Sequence, residues 1–229
     1  MARLARLLPL LALALVAALP DAALAHGVSE KDAAFVLSLD GMAIVPFIYL
    51  GAKHMVTGYD HILFLVGVIF FLYRLKDVVL YVSLFTLGHS LTLLAGVFGG
   101  ISANAFIIDA IIGLSVVYKG FENMGGFARL GLHPNTRAAV TIFGLFHGFG
   151  LATKLQEFAL PQNGLAANIL SFNLGVEIGQ IIVLSAVLLA LTLWRRIPGY
   201  LDHAFAANAA LMAGGFALTG YQLVGYVVL

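Results

Sequence analysis

The 229-residue chain has no cysteine, and only 10% of its residues are charged. Without cysteine it can form no disulfide bond and can offer no thiolate to a metal ion. A soluble domain of this length needs far more charge to cover its surface, whereas 62% of these residues are hydrophobic and the mean hydropathy is +1.02. The composition therefore predicts that a lipid bilayer surrounds most of the chain.

The sequence also lacks a nucleotide-binding motif, a phosphate-binding loop and a basic patch. We therefore expect neither an ATP-driven function nor a nucleic-acid partner. No stretch outside the apolar segments is long enough for a second domain, which predicts one membrane domain over residues 26–229. Whether that domain forms a homo-oligomer is left open.

The first 25 residues have the pattern of a secretory signal peptide. Arg3 and Arg6 precede a long apolar run, and "ALA" at 23–25 fits the small residues of a signal-peptidase site. We predict a signal peptide over 1–25, so that the mature chain begins at His26 outside the cytoplasm. The alternative is an uncleaved first transmembrane helix.

Six apolar segments follow, and each is long enough, or nearly so, to cross a bilayer as a helix of about 20 residues. They predict an all-α, polytopic membrane bundle of six transmembrane helices. The segments lie at roughly 59–74, 77–98, 102–120, 137–157, 164–194 and 204–228.

Lysine and arginine indicate the orientation, because cytoplasmic loops are enriched in both. With the mature N-terminus outside, seven of these residues fall on the cytoplasmic side and three on the outer side. The distribution predicts a bacterial inner-membrane protein with both mature termini outside. The seven are Arg74, Lys76, Lys119, Arg129, Arg137, Arg195 and Arg196, and the three are Lys31, Lys53 and Lys154.

Ionisable side chains recur within the apolar segments, where each costs about 2.5–3.5 kcal/mol at the centre of the bilayer and so needs a partner or a function. Imidazoles and carboxylates without thiolates favour a borderline divalent ion: nickel, cobalt, zinc or copper. The predicted ligands are His54, Asp60, His61, His89, His147 and Glu177, and the predicted supporting residues are Asp109, Asn173, Gln180 and Ser90.

Two further observations extend this set. Asn173, Glu177 and Gln180 are spaced at i, i+4 and i+7, which places them on one helix face that we expect to look into the bundle. His26 is a speculative ligand, because cleavage before it would leave its amino group beside its imidazole as a chelating pair.

Each polar residue also has a purely structural interpretation. Asp60 could cap a helix, and His89 and His147 could form hydrogen bonds within the bundle. Asn173 and Gln180 could link helices in the same way. Taken together, the histidines and carboxylates are more numerous than helix packing needs, which favours the metal interpretation.

The stretch "KHMVTGYDH" (53–61) places two histidines seven residues apart. On a continuous helix His54 and His61 would be about 10 Å apart, too far to share one ion. Gly58, beside β-branched Thr57, is where a helix can break. We predict an interruption at Thr57–Gly58 that folds His54 back toward His61.

Several motifs resemble those of the HupE/UreJ family of nickel permeases. His54 followed by Asp60-His61 resembles the first-helix signature of that family, and "FHG" at 146–148 resembles its later histidine motif. "LGHS" (87–90) is similar to a motif of the wider nickel/cobalt transporters. "FNLGVEIGQ" (172–180) looks like the branch with a helix 5 FNxGVExGQ motif.

The resemblance covers nearly all of the mature chain. It implies a secondary permease whose functional residues are His54, Asp60, His61 and His147. The nickel permeases have a glutamate four residues after that last histidine, where this chain has Leu151. Glu177 is the carboxylate that we expect to replace it.

We therefore predict a transporter, not an enzyme, that moves a divalent transition metal such as nickel or cobalt across the inner membrane. The alternatives are an intramembrane zinc hydrolase or a metal-binding accessory membrane protein. A haem subunit with His89 and His147 as axial ligands is a third, in which Gly88 and Gly148 would leave room for a porphyrin.

Overall fold

The structure is a computed structural model that describes residue 35 and residues 41–157 and 163–228. The predicted signal peptide and His26 lie outside the described residues. Within the described part the chain is all-α and shows no strand. Its helices are α1 (Ile44–Thr57), α2 (Tyr59–Ile69), α3 (Leu75–Gly99), α4 (Ala105–Asn123), α5 (Gly126–Arg129), α6 (Thr136–Glu157), α7 (Leu165–Trp194) and α8 (Tyr200–Val228).

Three pairs of helices pack most closely: α3 with α6, α4 with α8, and α1 with α7. Small residues permit this approach, as they commonly do between membrane helices. A Cβ on Gly148 of α6 would collide with the backbone carbonyl of His89 in α3. In the same way, Gly175 of α7 lies against the carbonyl of Ile48 in α1. These contacts fix the level at which the side chains of paired helices face each other.

The short helix α2 lies at the centre, in contact with α1, α3, α4, α7 and α8. Its 11 residues extend about 16 Å, roughly half the thickness of the hydrocarbon core. Phe64, Leu65 and Val68 are buried along it. The bundle therefore surrounds most of a half-length helix, of which the first residue, Tyr59, is exposed.

Arg195, just after α7, closes the C-terminal end of α2. Its guanidinium donates to the carbonyls of Ile69 at 3.0 Å, Phe70 at 2.6 Å and Leu72 at 2.9 Å. A helix leaves its last carbonyls without partners, and its C-terminus attracts positive charge. One arginine thus donates to three backbone carbonyls at this end of α2.

Four of the described helices are long and apolar enough to cross a membrane, namely α3, α6, α7 and α8. α4 has 19 residues and carries three charged side chains, Asp109, Lys119 and Glu122. Both α1 and α2 are shorter than a span. The described structure is therefore that of a multi-pass membrane protein, and its six passes remain a prediction.

The first predicted segment, 59–74, differs from the structure. Its helix ends at Ile69, and a separate helix, α1, precedes it from Ile44. The predicted break at Thr57–Gly58 implies a helix before it, but Pro46 interrupts the apolar run and conceals where that helix begins. Proline is tolerated in a first helical turn, where the backbone N–H has no partner within the helix.

Candidate metal site

The predicted break in the helix is confirmed. α1 ends at Thr57 and α2 begins at Tyr59, and Gly58 between them has extended backbone angles, φ −75° and ψ 91°. The Gly58 N–H donates to the carbonyl of His54 at 2.8 Å. The turn brings the ring centroids of His54 and His61 to 5.2 Å, about half their separation on an unbroken helix.

Asp60, His61 and His147 form a group whose ligand atoms all lie within 4.8 Å of one another. The first two are in the first turn of α2, and His147 is near the middle of α6. Both histidines are 0% exposed and Asp60 is 1% exposed. Donor atoms around one transition-metal ion lie about 3–4 Å apart, so small side-chain movements would bring these three onto one ion.

His61 lies at the centre of a larger set of imidazoles. Its ring centroid is 4.6 Å from that of His147, 5.2 Å from that of His54 and 5.8 Å from that of His89. His89 is buried and His54 is half-buried. The structure thus brings together five of the predicted ligands, and His54 is the one with solvent-accessible surface.

The ring of His61 is oriented by the carboxylate beside it. Its Nδ1 lies 3.1 Å from Oδ1 of Asp60. Because a carboxylate can only accept, Nδ1 carries the proton and Nε2 keeps its lone pair. A carboxylate in this position fixes the tautomer of the ring and raises its basicity. To join His61 and His147 on one ion, Asp60 would have to turn away from Nδ1, because it lies on the side of the ring away from Nε2.

His147 has a partner that the sequence did not reveal. Its Nε2 lies 3.3 Å from Oγ of Ser115 in α4, and Ser115 is completely buried. The same hydroxyl donates to the carbonyl of Ile112 at 2.6 Å. The available signal was one serine in "IIGLSVV" (111–117), and a single serine in an apolar helix is common in helix packing.

Gly88 and Gly148, beside two of the histidines, face backbone and not open space. A Cβ on Gly88 would collide with the carbonyl of Thr141, and one on Gly148 with that of His89. The prediction that these glycines leave room for a porphyrin is therefore wrong. Their role is to let α3 and α6 approach closely enough to bring His89 and His147 into one layer.

The predicted supporting residues on α3 and α7 form hydrogen bonds between these helices. Ser90 and Asn173 exchange two, at 2.8 and 3.0 Å. Thr86 donates to Oε1 of Gln180 at 3.0 Å. Because His89 lies between Thr86 and Ser90 in α3, these bonds hold the backbone on both sides of it.

Glu177 does not join the buried group. It is exposed on α7, whereas Asn173 is half-buried and Gln180 is buried. The prediction that this polar face looks wholly into the bundle is wrong at Glu177. Val176 is buried on the face of α7 that packs against α1. Successive helical residues are about 100° apart, so Glu177 is turned by that angle away from this face.

Asp109 is also buried, and it pairs with Lys154 of α6, whose Nζ lies 2.9 Å from Oδ2. Six residues separate Asp109 from Ser115 along α4, which is about 9 Å. This ion pair therefore bridges α4 and α6 at a different level from the His147–Ser115 contact. Asp109 is not in the group of three.

An aromatic layer lies against the histidines. The ring centroids of Phe64 and Phe85 are 5.4 and 5.1 Å from that of His147. Phe143 extends this layer, 5.7 Å from Phe64. The layer surrounds the site with low-dielectric material, which strengthens every charge interaction within it.

A second polar cluster lies farther along α4, one to two turns beyond Ser115. Nζ of Lys119 is 2.6 Å from Oε2 of Glu122. Asn123 donates to the carbonyl of Gly67 and to Oδ1 of Asn208, both at 2.8 Å. Lys119 is buried within α4, so it does not lie in a loop, and its place on the cytoplasmic side stays a prediction.

The fold and the site together define a multi-pass membrane helix bundle with a buried cluster of nitrogen and oxygen donors. A family model described as "HupE / UreJ protein" matches residues 30–229. The chain belongs to the HupE/UreJ family, which indicates a permease-like membrane protein of the nickel/cobalt type. No curated protein and no solved structure matches the chain.

Proposed function

We propose that this protein is a permease that moves a divalent transition-metal ion, nickel or cobalt first among them, across the membrane. The observation that carries the proposal is the group of Asp60, His61 and His147, ionisable side chains buried together in an apolar bundle. Nitrogen and oxygen donors without sulfur suit borderline divalent ions. Membership in a permease-like family supports transport over catalysis.

The broken segment supplies the entry in this proposal. His54 is half-buried and 5.2 Å from His61, so it can take an ion from outside and pass it inward. From His61 the rings of His147 and His89 are within 6 Å. Several sites close together allow an ion to bind and still leave, as conduction requires.

On the far side of the site, the aromatic layer and the Lys119–Glu122 pair would close the route. An ion leaving the histidines would have to pass the rings of Phe64 and Phe85 and then this ion pair. α2 meets α4 at Gly67, where an added Cβ would lie 3.1 Å from Cβ of Lys119. Movement of α2 against α4 at this contact is therefore the step that we expect to open the route.

The proposed orientation has six passes, with α1 and α2 counted as one broken pass, and both mature termini outside the bacterial inner membrane. We also propose that the signal peptide is cleaved and that the chain belongs to the FNxGVExGQ branch of the family. A divalent ion that enters a cell gains about 4.6 kcal/mol per 100 mV of inside-negative potential. The membrane potential therefore supplies the driving force without ATP.

Uptake of Ni²⁺ and Co²⁺ into proteoliposomes with an inside-negative potential tests the proposal. The parent protein should accumulate the ion, and His61→Ala should fall to the level of empty liposomes. His133→Ala is the matched control, because His133 is exposed and belongs to the loop before α6. Equal uptake by the parent and His61→Ala would contradict the proposed site.

The alternatives predict different results in the same preparation. A zinc hydrolase would cleave a lipid amide and move no ion. An accessory protein would bind the ion at the same residues and would also move none. Binding without uptake, in vesicles shown to contain correctly inserted protein, would therefore replace the permease by one of these.

A further inference from the structure

The contact between Ser115 and His147 carries an inference that rests on the proposed metal site and goes beyond it. We propose that Ser115 is a positioning residue that fixes the tautomer of His147, so that Nδ1 of this ring binds the ion. Ser115 lies on α4, which contributes none of the ligands of the group of three. Its role would be to act through His147 without touching the ion.

The two hydrogen-bond distances at Ser115 decide where its single proton lies. Oγ is 2.6 Å from the carbonyl of Ile112 and 3.3 Å from Nε2 of His147. The hydroxyl has one proton. The carbonyl oxygen of Ile112 can only accept and is the closer of the two atoms, so the hydroxyl donates its proton to this carbonyl. Oγ therefore presents a lone pair to His147, and Nε2 of the ring is the nitrogen that donates.

A neutral imidazole with its proton on Nε2 has its lone pair on Nδ1. The two central histidines would then differ in tautomer: His61 carries its proton on Nδ1, facing Asp60, and His147 carries its proton on Nε2, facing Ser115. Each ring would be held by one neighbour, a carboxylate for His61 and a hydroxyl for His147. Removal of an outer partner such as Ser115 typically changes metal affinity about 10- to 100-fold.

A purely structural role accounts for only one of the two contacts of Ser115. Ser115 already satisfies its proton within its own helix, through the carbonyl three residues earlier. Thr219 offers the comparison: its hydroxyl bonds to Gly215 of its own helix at 2.8 Å and reaches Ala110 of α4 at 3.3 Å. That hydroxyl links two helices through backbone, whereas Ser115 is directed at an imidazole of the candidate site.

The tautomer can be measured without metal. In protein with ¹⁵N-labelled histidine, held at a pH where the rings are neutral, long-range ¹⁵N–¹H correlations identify which nitrogen of His147 is protonated. We expect Nε2–H for His147 and Nδ1–H for His61. In Ser115→Ala the His147 signals should shift toward the other tautomer or a mixture. A parent protein with Nδ1–H on His147 would overturn the inference, whatever the protein transports.

Metal binding supplies the second readout. Ser115→Ala should weaken the affinity for Ni²⁺ about 10- to 100-fold, and Ser115→Thr, which keeps a hydroxyl, should restore most of it. Thr219→Val removes a buried hydroxyl away from the histidines and should bind like the parent. Equal affinities of the parent and Ser115→Ala would overturn the inference while leaving the site intact. If the parent binds no divalent ion, the proposed function fails, and the NMR result still decides the tautomer.

Discussion

Replacing Gly58 by alanine should weaken metal binding about tenfold and leave the fold intact. A Cβ at this position would lie 3.0 Å from the carbonyl oxygen of His54, 3.2 Å from Nδ1 of His61 and 3.4 Å from Oδ1 of Asp60. The two shorter separations are tighter than ordinary van der Waals contact, so the neighbouring atoms must move by a few tenths of an ångström. The backbone itself need not change, because φ is −75° and alanine adopts this angle readily.

One atom that must move is Nδ1 of His61, and this nitrogen forms the 3.1 Å hydrogen bond to Asp60 that orients the His61 ring. Overpacking of a filled site costs about 1–3 kcal/mol. Only the part of this cost that differs between the free and the metal-bound protein appears as lost affinity. Since about 1.4 kcal/mol is a factor of ten, about 5- to 150-fold is therefore the upper limit. We expect a value near the lower end, because one methyl group displaces side-chain atoms and one carbonyl.

Isothermal titration of Ni²⁺ into purified protein in lipid nanodiscs measures this effect. Gly220→Ala is the matched control, since Gly220 is exposed in α8 and an added Cβ meets nothing within 4 Å. Thermal unfolding of both variants separates weaker binding from misfolding. If Gly58→Ala bound Ni²⁺ as tightly as the parent, the turn would not position His61 and the reasoning would be refuted.

The other predictions concern the ligands and their surroundings. His147→Ala should abolish Ni²⁺ binding in equilibrium dialysis while His133→Ala retains it; equal binding by the two would remove α6 from the site. Glu177→Gln should leave affinity and uptake unchanged because the side chain is exposed, and a tenfold loss would show that it reaches the ion. Arg195→Ala should lower the unfolding midpoint, since it removes three charge-assisted hydrogen bonds, and a hydrogen bond to a charged group contributes about 1.5–3 kcal/mol; a midpoint equal to the parent's would contradict its capping of α2. Ni²⁺ affinity should fall as the pH is lowered from about 7.5 to 5.5, because a protonated imidazole cannot bind a metal, and affinity independent of pH would exclude the histidines as ligands.

The approach of His54 to His61 could be predicted because its cause is local. Gly58 beside a β-branched residue marks a weak point in a helix, and the distance between His54 and His61 on an unbroken helix follows from the rise per residue. His147 could be recognised because an imidazole within an apolar segment is costly. Chemistry and helical geometry were enough to identify these positions from the sequence.

Other features depend on how helices pack against each other, which a single sequence does not specify. One helix face of α7 is defined by the spacing of Asn173, Glu177 and Gln180. How far this face turns inward depends on the packing of α7 against α1, and in that packing Glu177 remains exposed. The partners of Ser115 and Arg195 are 32 and more than 120 residues away in the chain. A serine and an arginine in such positions look ordinary until the bundle is assembled.

The central claim is that one divalent ion binds between Asp60, His61 and His147. Anomalous diffraction from crystals of the protein loaded with Ni²⁺, recorded on both sides of the nickel absorption edge, locates the ion directly. We expect one strong peak within coordination distance of these three side chains, and its loss in His147→Ala. A peak at His133 or His203, outside this group, with none between α2 and α6 would contradict the proposed site.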